Sequence, residues 1–136
     1  MNKVISARAV WLRAAGLVAV AFGVLTIKEG GAVLFGDDPA RAAAGNYVPF
    51  VLWFNFLAGF AYVASGVGLL LRRRWSAWLA LAILAGTALV FAAFAAHILI
   101  GRTYEMRTVV AMTLRTTVWA AIAWIAHRKL RPSAVA

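Results

Sequence analysis

Apolar residues in this chain neither alternate with polar ones nor keep to one helical stripe; they run together. Four such runs cover residues 10–27, 48–71, 75–100 and 108–126. Each is near the ~20 residues that a helix needs to cross ~30 Å of hydrocarbon. A helix is required because the slab offers no water to unpaired backbone groups, and the alternating pattern of a membrane barrel strand is absent. The runs predict an all-α, polytopic membrane protein: a single domain over residues 1–136, folded as an antiparallel bundle of four transmembrane helices.

The breaks between the runs predict the connections. RRRWS at 72–76 leaves room only for a tight turn, and GRTYEMR at 101–107 is nearly as short, so the last three helices should be antiparallel neighbours in sequence order. The long connection, residues 28–47, contains the apolar AVLF between glycines. It is expected either to return to the membrane surface or to extend the first helix after a break at Gly30 and Gly31. Asp37, Asp38 and Pro39 mark a turn or the start of a short helix, with Asp38 as the cap and proline at the first helical position. Small residues recur where backbones must approach: Gly16 and Gly23 on the first run, Gly59 and Gly66 on the second, Gly86 and Ala93 on the third.

Composition agrees with this reading. The chain is 65% hydrophobic and 13% charged, where a soluble domain carries about a quarter charged residues. A net charge of +10 would point to nucleic acid in a soluble protein, but the placement of the cations argues against it. Lys3, Arg8 and Arg13 lie at or before the start of the first run, Arg72, Arg73 and Arg74 separate the second from the third, and Arg128, Lys129 and Arg131 follow the fourth. These positions are the ones the positive-inside rule gives to the cytoplasm. Glu29, Asp37, Asp38 and Glu105, the only acids, fall in the opposite connections. Trp11, Trp75 and Trp78 sit near one boundary and Tyr47, Trp53 and Tyr104 near the other, as interfacial aromatic belts do. The expectation is a bacterial-type inner-membrane protein with both termini cytoplasmic and no nucleic-acid partner. A competing reading takes the first thirty residues as a secretory signal, although TIKEGG offers no clean small-residue cleavage site. The absence of cysteine excludes disulfides, thiolate metal sites and a cysteine nucleophile.

Candidate chemistry centres on Arg115, a full positive charge inside the fourth run. An arginine there costs about 2.5–3.5 kcal/mol on insertion scales, and such residues face a protein interior or a wet cavity. Asn55 on the second run, His97 on the third and Glu29 just past the first lie at comparable depths toward the acidic connections. Together with Glu105, Tyr104 and Tyr62 they form a candidate ligand-binding cluster around Arg115. Two readings of it compete. Arg115 pairs with Glu29 or Glu105 and bonds Asn55 as packing glue, or Arg115 and His97 hold an anionic or carbonyl-bearing amphiphile such as a lipid headgroup or quinone. His97, Glu29 and Glu105 are also weak metal candidates, without the HxxxH or ExxH spacing of a metal site. His127, at the opposite boundary, reads as part of a basic flank. Thr113, Thr116 and Thr117 are expected to bond carbonyls of the preceding turn.

No nucleophile–base pair and no phosphate-binding glycine loop is visible, so no catalytic residue and no cofactor is named. Three functions follow: a binding or transport protein, an accessory subunit of a larger membrane complex, and, with least support, an enzyme acting on a lipid or quinone. The partners expected are membrane lipids and either a second copy of the chain or a larger membrane complex.

Overall fold

The computed structural model describes residues 3–36 and 38–130; Asp37 and Arg131, and the side chains of Lys3 and Arg8, lie outside that description. The chain is all α. Its elements are α1 (Lys3–Phe35), α2 (Asp38–Ala44), α3 (Pro49–Leu70), α4 (Trp75–Leu99) and α5 (Met106–Lys129). Four helices are long and apolar enough to cross a membrane: Ala9–Phe35 within α1, and the whole of α3, α4 and α5. Large apolar side chains such as Leu17, Leu25, Phe60, Leu89 and Val110 are exposed along them. Apolar exposure on this scale belongs to a protein embedded in a membrane.

The first helix differs from its expected form. It neither ends near Ile27 nor breaks at Gly30 and Gly31, but continues to Phe35. Gly30 there serves close packing. A Cβ on Gly30 would stand 3.1 Å from Cβ of Phe56 on α3, so the missing side chain lets the two helices stay in contact beyond Lys28 and Glu29. The end of α1 is then capped from outside: Arg41 on α2 donates to the carbonyls of Val33 (3.0 Å) and Leu34 (3.3 Å), two of the acceptors that a helix terminus leaves unmatched.

Helix α1 packs on α3, α3 on α4, α4 on α5, and α5 again on α1. The closest seam is that of α1 and α3. A Cβ on Gly66 would meet the Gly16 carbonyl oxygen at 2.7 Å, and one on Gly23 would meet the Gly59 oxygen at 2.7 Å. Numbering rises on one helix as it falls on the other, so the pair is antiparallel. With no hydrophobic drive between helices in lipid, such backbone proximity is a main source of association.

Both short connections open with the same backbone device. After α3, Arg72 N–H bonds the Leu69 carbonyl at 3.1 Å and Arg73 N–H the Gly68 carbonyl at 2.8 Å. After α4, Gly101 and Arg102 repeat the pattern onto Ile98 and His97. This is the Schellman motif, which places the residue after the C-cap in the left-handed region. Gly101 fills that position with φ +88°, but Arg72 fills it with φ +56°, where an L side chain costs about 1–2 kcal/mol.

The buried apolar residues form two clusters. The larger includes Leu12, Ala15, Ala19, Tyr62, Leu69, Ala80, Trp119, Ile122 and Ala126; the smaller consists of Val48, Val51, Phe94 and Met112. On α5, Met112 belongs to one and Trp119 to the other. Arg115 stands between them.

Candidate functional site

Arg115 is 8% exposed, and its place follows from helical phase. Met112, Trp119 and Ile122 recur with it at three- and four-residue spacing, so the face that buries α5 carries the guanidinium inward. There Nη1 donates to Thr26 Oγ1 on α1 at 3.0 Å and to the Tyr62 hydroxyl on α3 at 3.4 Å. Cζ lies 5.2 Å from the centroid of the Phe22 ring, within reach of a cation–π attraction. Phe22 meets Tyr62 edge-on with centroids 5.6 Å apart, and the Tyr62 ring lies 4.8 Å from that of Trp119. The charge is therefore held by three helices in an aromatic surround with hydroxyls as its acceptors.

The expected acidic partner is not the one found. Arg115 makes no ion pair with Glu29 or Glu105 among the described residues; the ion pair seen there joins Arg41 to Asp38. Distance explains the absence of a Glu105 pair. Ten residues separate Glu105 from Arg115, about 15 Å along a helix axis at 1.5 Å per residue, too far for the two side chains to meet. Glu105 instead accepts the Asn46 N–H at 2.9 Å, and Arg107 donates to the Ala43 carbonyl, so the start of α5 is tied to the connection that precedes α3. Glu29 is exposed on α1. Hydroxyls solvate the guanidinium without neutralising it, and the positive charge keeps its field.

The other proposed site residues divide in the same way. Tyr62 joins Arg115. His97 lies at the end of α4, where Nε2 is 3.0 Å from the Thr103 carbonyl and the ring stacks on Phe94 at 6.3 Å. Tyr104 packs edge-on against the same Phe94. His97, Glu29 and Glu105 do not converge, and among the described residues no group of three His, Asp or Glu gathers to hold a metal ion. Asn55 is half-buried on α3, and its Oδ1 has no hydrogen-bond partner. Thr113, Thr116 and Thr117 bond the carbonyls four residues back, at 2.8–2.9 Å.

Two contacts of Arg115, Thr26 and Phe22, and the buried hydroxyl of Thr87 were not anticipated. Thr26 is the only hydroxyl within residues 10–27, and Thr87 the only one within residues 77–100; an isolated hydroxyl in an apolar run is the signal that marks them. Phe22 carries no such signal. Thr87 Oγ1, Arg115 Nε and Trp119 Nε1 are all buried without a partner. Arg115 and Trp119 sit one turn apart on the same face and flank the same tyrosine, so two unmatched N–H donors share one region of the interior. Each unmatched buried donor costs about 1–3 kcal/mol. Unmatched donors and a positive charge suit an oxygen acceptor by their chemistry and disfavour a cation.

Comparison with protein-family models, with curated proteins and with solved structures yields no match to this chain.

Proposed function

We propose that the protein binds the polar end of an amphiphile, a carboxylate, phosphate or quinone carbonyl, at the donor cluster formed by Arg115 and Trp119. The observation that carries this reading is a pair of buried, unmatched N–H donors, the Nε of the Arg115 guanidinium itself and the Trp119 indole N–H, with no acidic partner for the guanidinium among the described residues. An acceptor oxygen delivered from the membrane satisfies both donors and the charge together, while an apolar tail stays in lipid. The surrounding frame is a four-helix antiparallel bundle in a bacterial-type inner membrane, with both termini cytoplasmic. Support for that frame comes from the helix contacts around the ring and from the cations gathered at the start of α1, the α3–α4 turn and the end of α5. Transport of the ligand requires a second copy, because four helices enclose a narrow path.

A second reading has its own support. The Nη1 hydrogen bonds join α5 to α1 and α3, which is what packing glue in an accessory subunit does. Native mass spectrometry of the protein extracted in mild detergent separates the two. The ligand reading expects an adduct that survives extraction and disappears in Arg115→Leu while the helical fold persists. A clean mass in the wild type, with Arg115→Leu losing its fold, supports the subunit reading. An unchanged set of adducts in a folded Arg115→Leu protein refutes the proposed site.

A further inference from the structure

A second polar feature lies toward the C-terminal end of α5, away from Arg115. Where the first turns of α1 meet the last turns of α5, a groove of about 330 Å³ opens between Trp11, Ala121, Trp124, Ile125, Arg128 and Lys129. We propose that this groove holds one anionic phospholipid, with its phosphate on Arg128 and an acyl chain along Ala121 and Ile125.

Three observations carry the assignment. The first is depth. Trp11 lies at the start of the apolar run 10–27, and Arg128 and Lys129 lie just past the run 108–126, so the groove belongs at the headgroup level of that leaflet, where tryptophan is favoured. The second is charge. Arg128 and Lys129 are the charged residues of the groove, and the described acids, Glu29, Asp38 and Glu105, lie in the last turns of α1, at the start of α2 and just before α5, at the other end of the helices. Arg128 is also pre-oriented, its Cζ 5.2 Å from the centroid of the Trp124 ring. A guanidinium held in this way presents its fork of donors to a phosphate. The third is the wall. Trp11 is 53% and Trp124 64% exposed, and with Ala121 and Ile125 they continue the groove from the charged rim into the apolar span. A free phosphate uses the rim and leaves the indoles uncovered; a phospholipid covers both. The volume lies near the lower end of the ~300–1,000 Å³ range of small-molecule sites, suited to a headgroup and the start of one chain.

The test is native mass spectrometry of the full chain in mild detergent, titrated with phosphatidylglycerol or with phosphatidylcholine of the same acyl chains. The wild type is expected to prefer the anionic lipid by about fivefold or more, the contribution of one well-placed cation near a membrane surface. Arg128→Ala should remove most of that preference. Trp124→Leu should weaken phosphatidylglycerol binding in the same direction. Both side chains are exposed, and circular dichroism checks that the variants stay helical. Arg73→Ala, at the basic α3–α4 turn, should leave the preference intact. Equal binding of the two lipids by the wild type overturns the proposal, as does a full preference in Arg128→Ala. An equal loss in Arg73→Ala also overturns it, by showing diffuse surface attraction instead of a groove. Displacement of the lipid by millimolar inorganic phosphate reassigns the rim to a free anion.

Discussion

The link between Arg115 and Thr26 gives the sharpest stability prediction. Thr26→Val keeps the shape of the side chain and removes the oxygen that accepts from Nη1 at 3.0 Å. Thr26 is 3% exposed, so water does not replace it readily, and the Tyr62 hydroxyl at 3.4 Å is a weaker acceptor for the same donor. A hydrogen bond to a charged group contributes about 1.5–3 kcal/mol in soluble proteins, whereas interhelical pairs in membranes average about 0.6 and reach about 1.7 kcal/mol. A charged donor with one good acceptor belongs near the top of the membrane range, so Thr26→Val should destabilise the folded protein by about 1.5 kcal/mol. Arg115→Leu acts at two stages with opposite signs. It eases insertion of α5 by about 3–4 kcal/mol, yet it removes the group whose shielding from lipid favours assembly. In the Arg115→Leu background the Thr26 hydroxyl has lost its donor, and Thr26→Val should then cost less than about 0.5 kcal/mol. A double-mutant cycle measured by reversible unfolding in mixed micelles should return a coupling of about 1 kcal/mol. If Thr26→Val costs the same in both backgrounds, the contact does not hold the helices together.

Other substitutions probe separate parts of the structure. Gly66→Val drives a side chain toward the Gly16 carbonyl oxygen, already 2.7 Å from an added Cβ; it should cost about 1–3 kcal/mol in the same unfolding assay, and a neutral result refutes the close α1–α3 seam. Arg72→Gly relieves the left-handed strain at φ +56° and should stabilise the protein by about 1 kcal/mol, read as a later unfolding midpoint. Glu105→Ala removes the acceptor of the Asn46 N–H; hydrogen exchange at Asn46 should accelerate while the α3 core stays protected. Because the chain has no native cysteine, single cysteines at positions 42 and 73 report topology directly. In right-side-out vesicles an impermeant thiol reagent should label Ala42→Cys and spare Arg73→Cys, and the opposite pattern reverses the proposed orientation.

The spans were legible in the sequence because a run of apolar residues has one low-energy form in hydrocarbon, a helix with its backbone bonds internal. The short turns were legible for the same reason. The length of α1 was not. Lys28, Glu29 and two glycines look like a helix end, but charged residues continue a helix freely once it leaves the apolar slab, and the glycine at position 30 fits against Phe56. Arg115 declared itself by its improbability, whereas its partners did not. Opposite charge suggested Glu29 and Glu105, yet Glu105 is out of reach along the helix and Glu29 stays exposed, and a threonine on α1 meets an arginine on α5 only through the relative phase of two helices. Trp119 could be placed on the Arg115 face from spacing alone. Its unmatched indole N–H depends on what the neighbouring helices present, which spacing does not encode.

The unequal helix lengths bear on how the protein meets bilayers of different thickness. Helix α1 continues eight residues past the apolar run that ends at Ile27, as far as Phe35, whereas α3 has 22 residues, about 33 Å at 1.5 Å per residue. In hydrocarbon about 30 Å thick, the longer helix leans or lifts its apolar end, Ala32 to Phe35, into the headgroups. It does not lean alone, because Gly16 and Gly23 are seated against the backbone of α3. Thinning the bilayer therefore tilts α1 and α3 as one rigid pair, while α5, joined to α1 along a lighter seam, is left to slide against it.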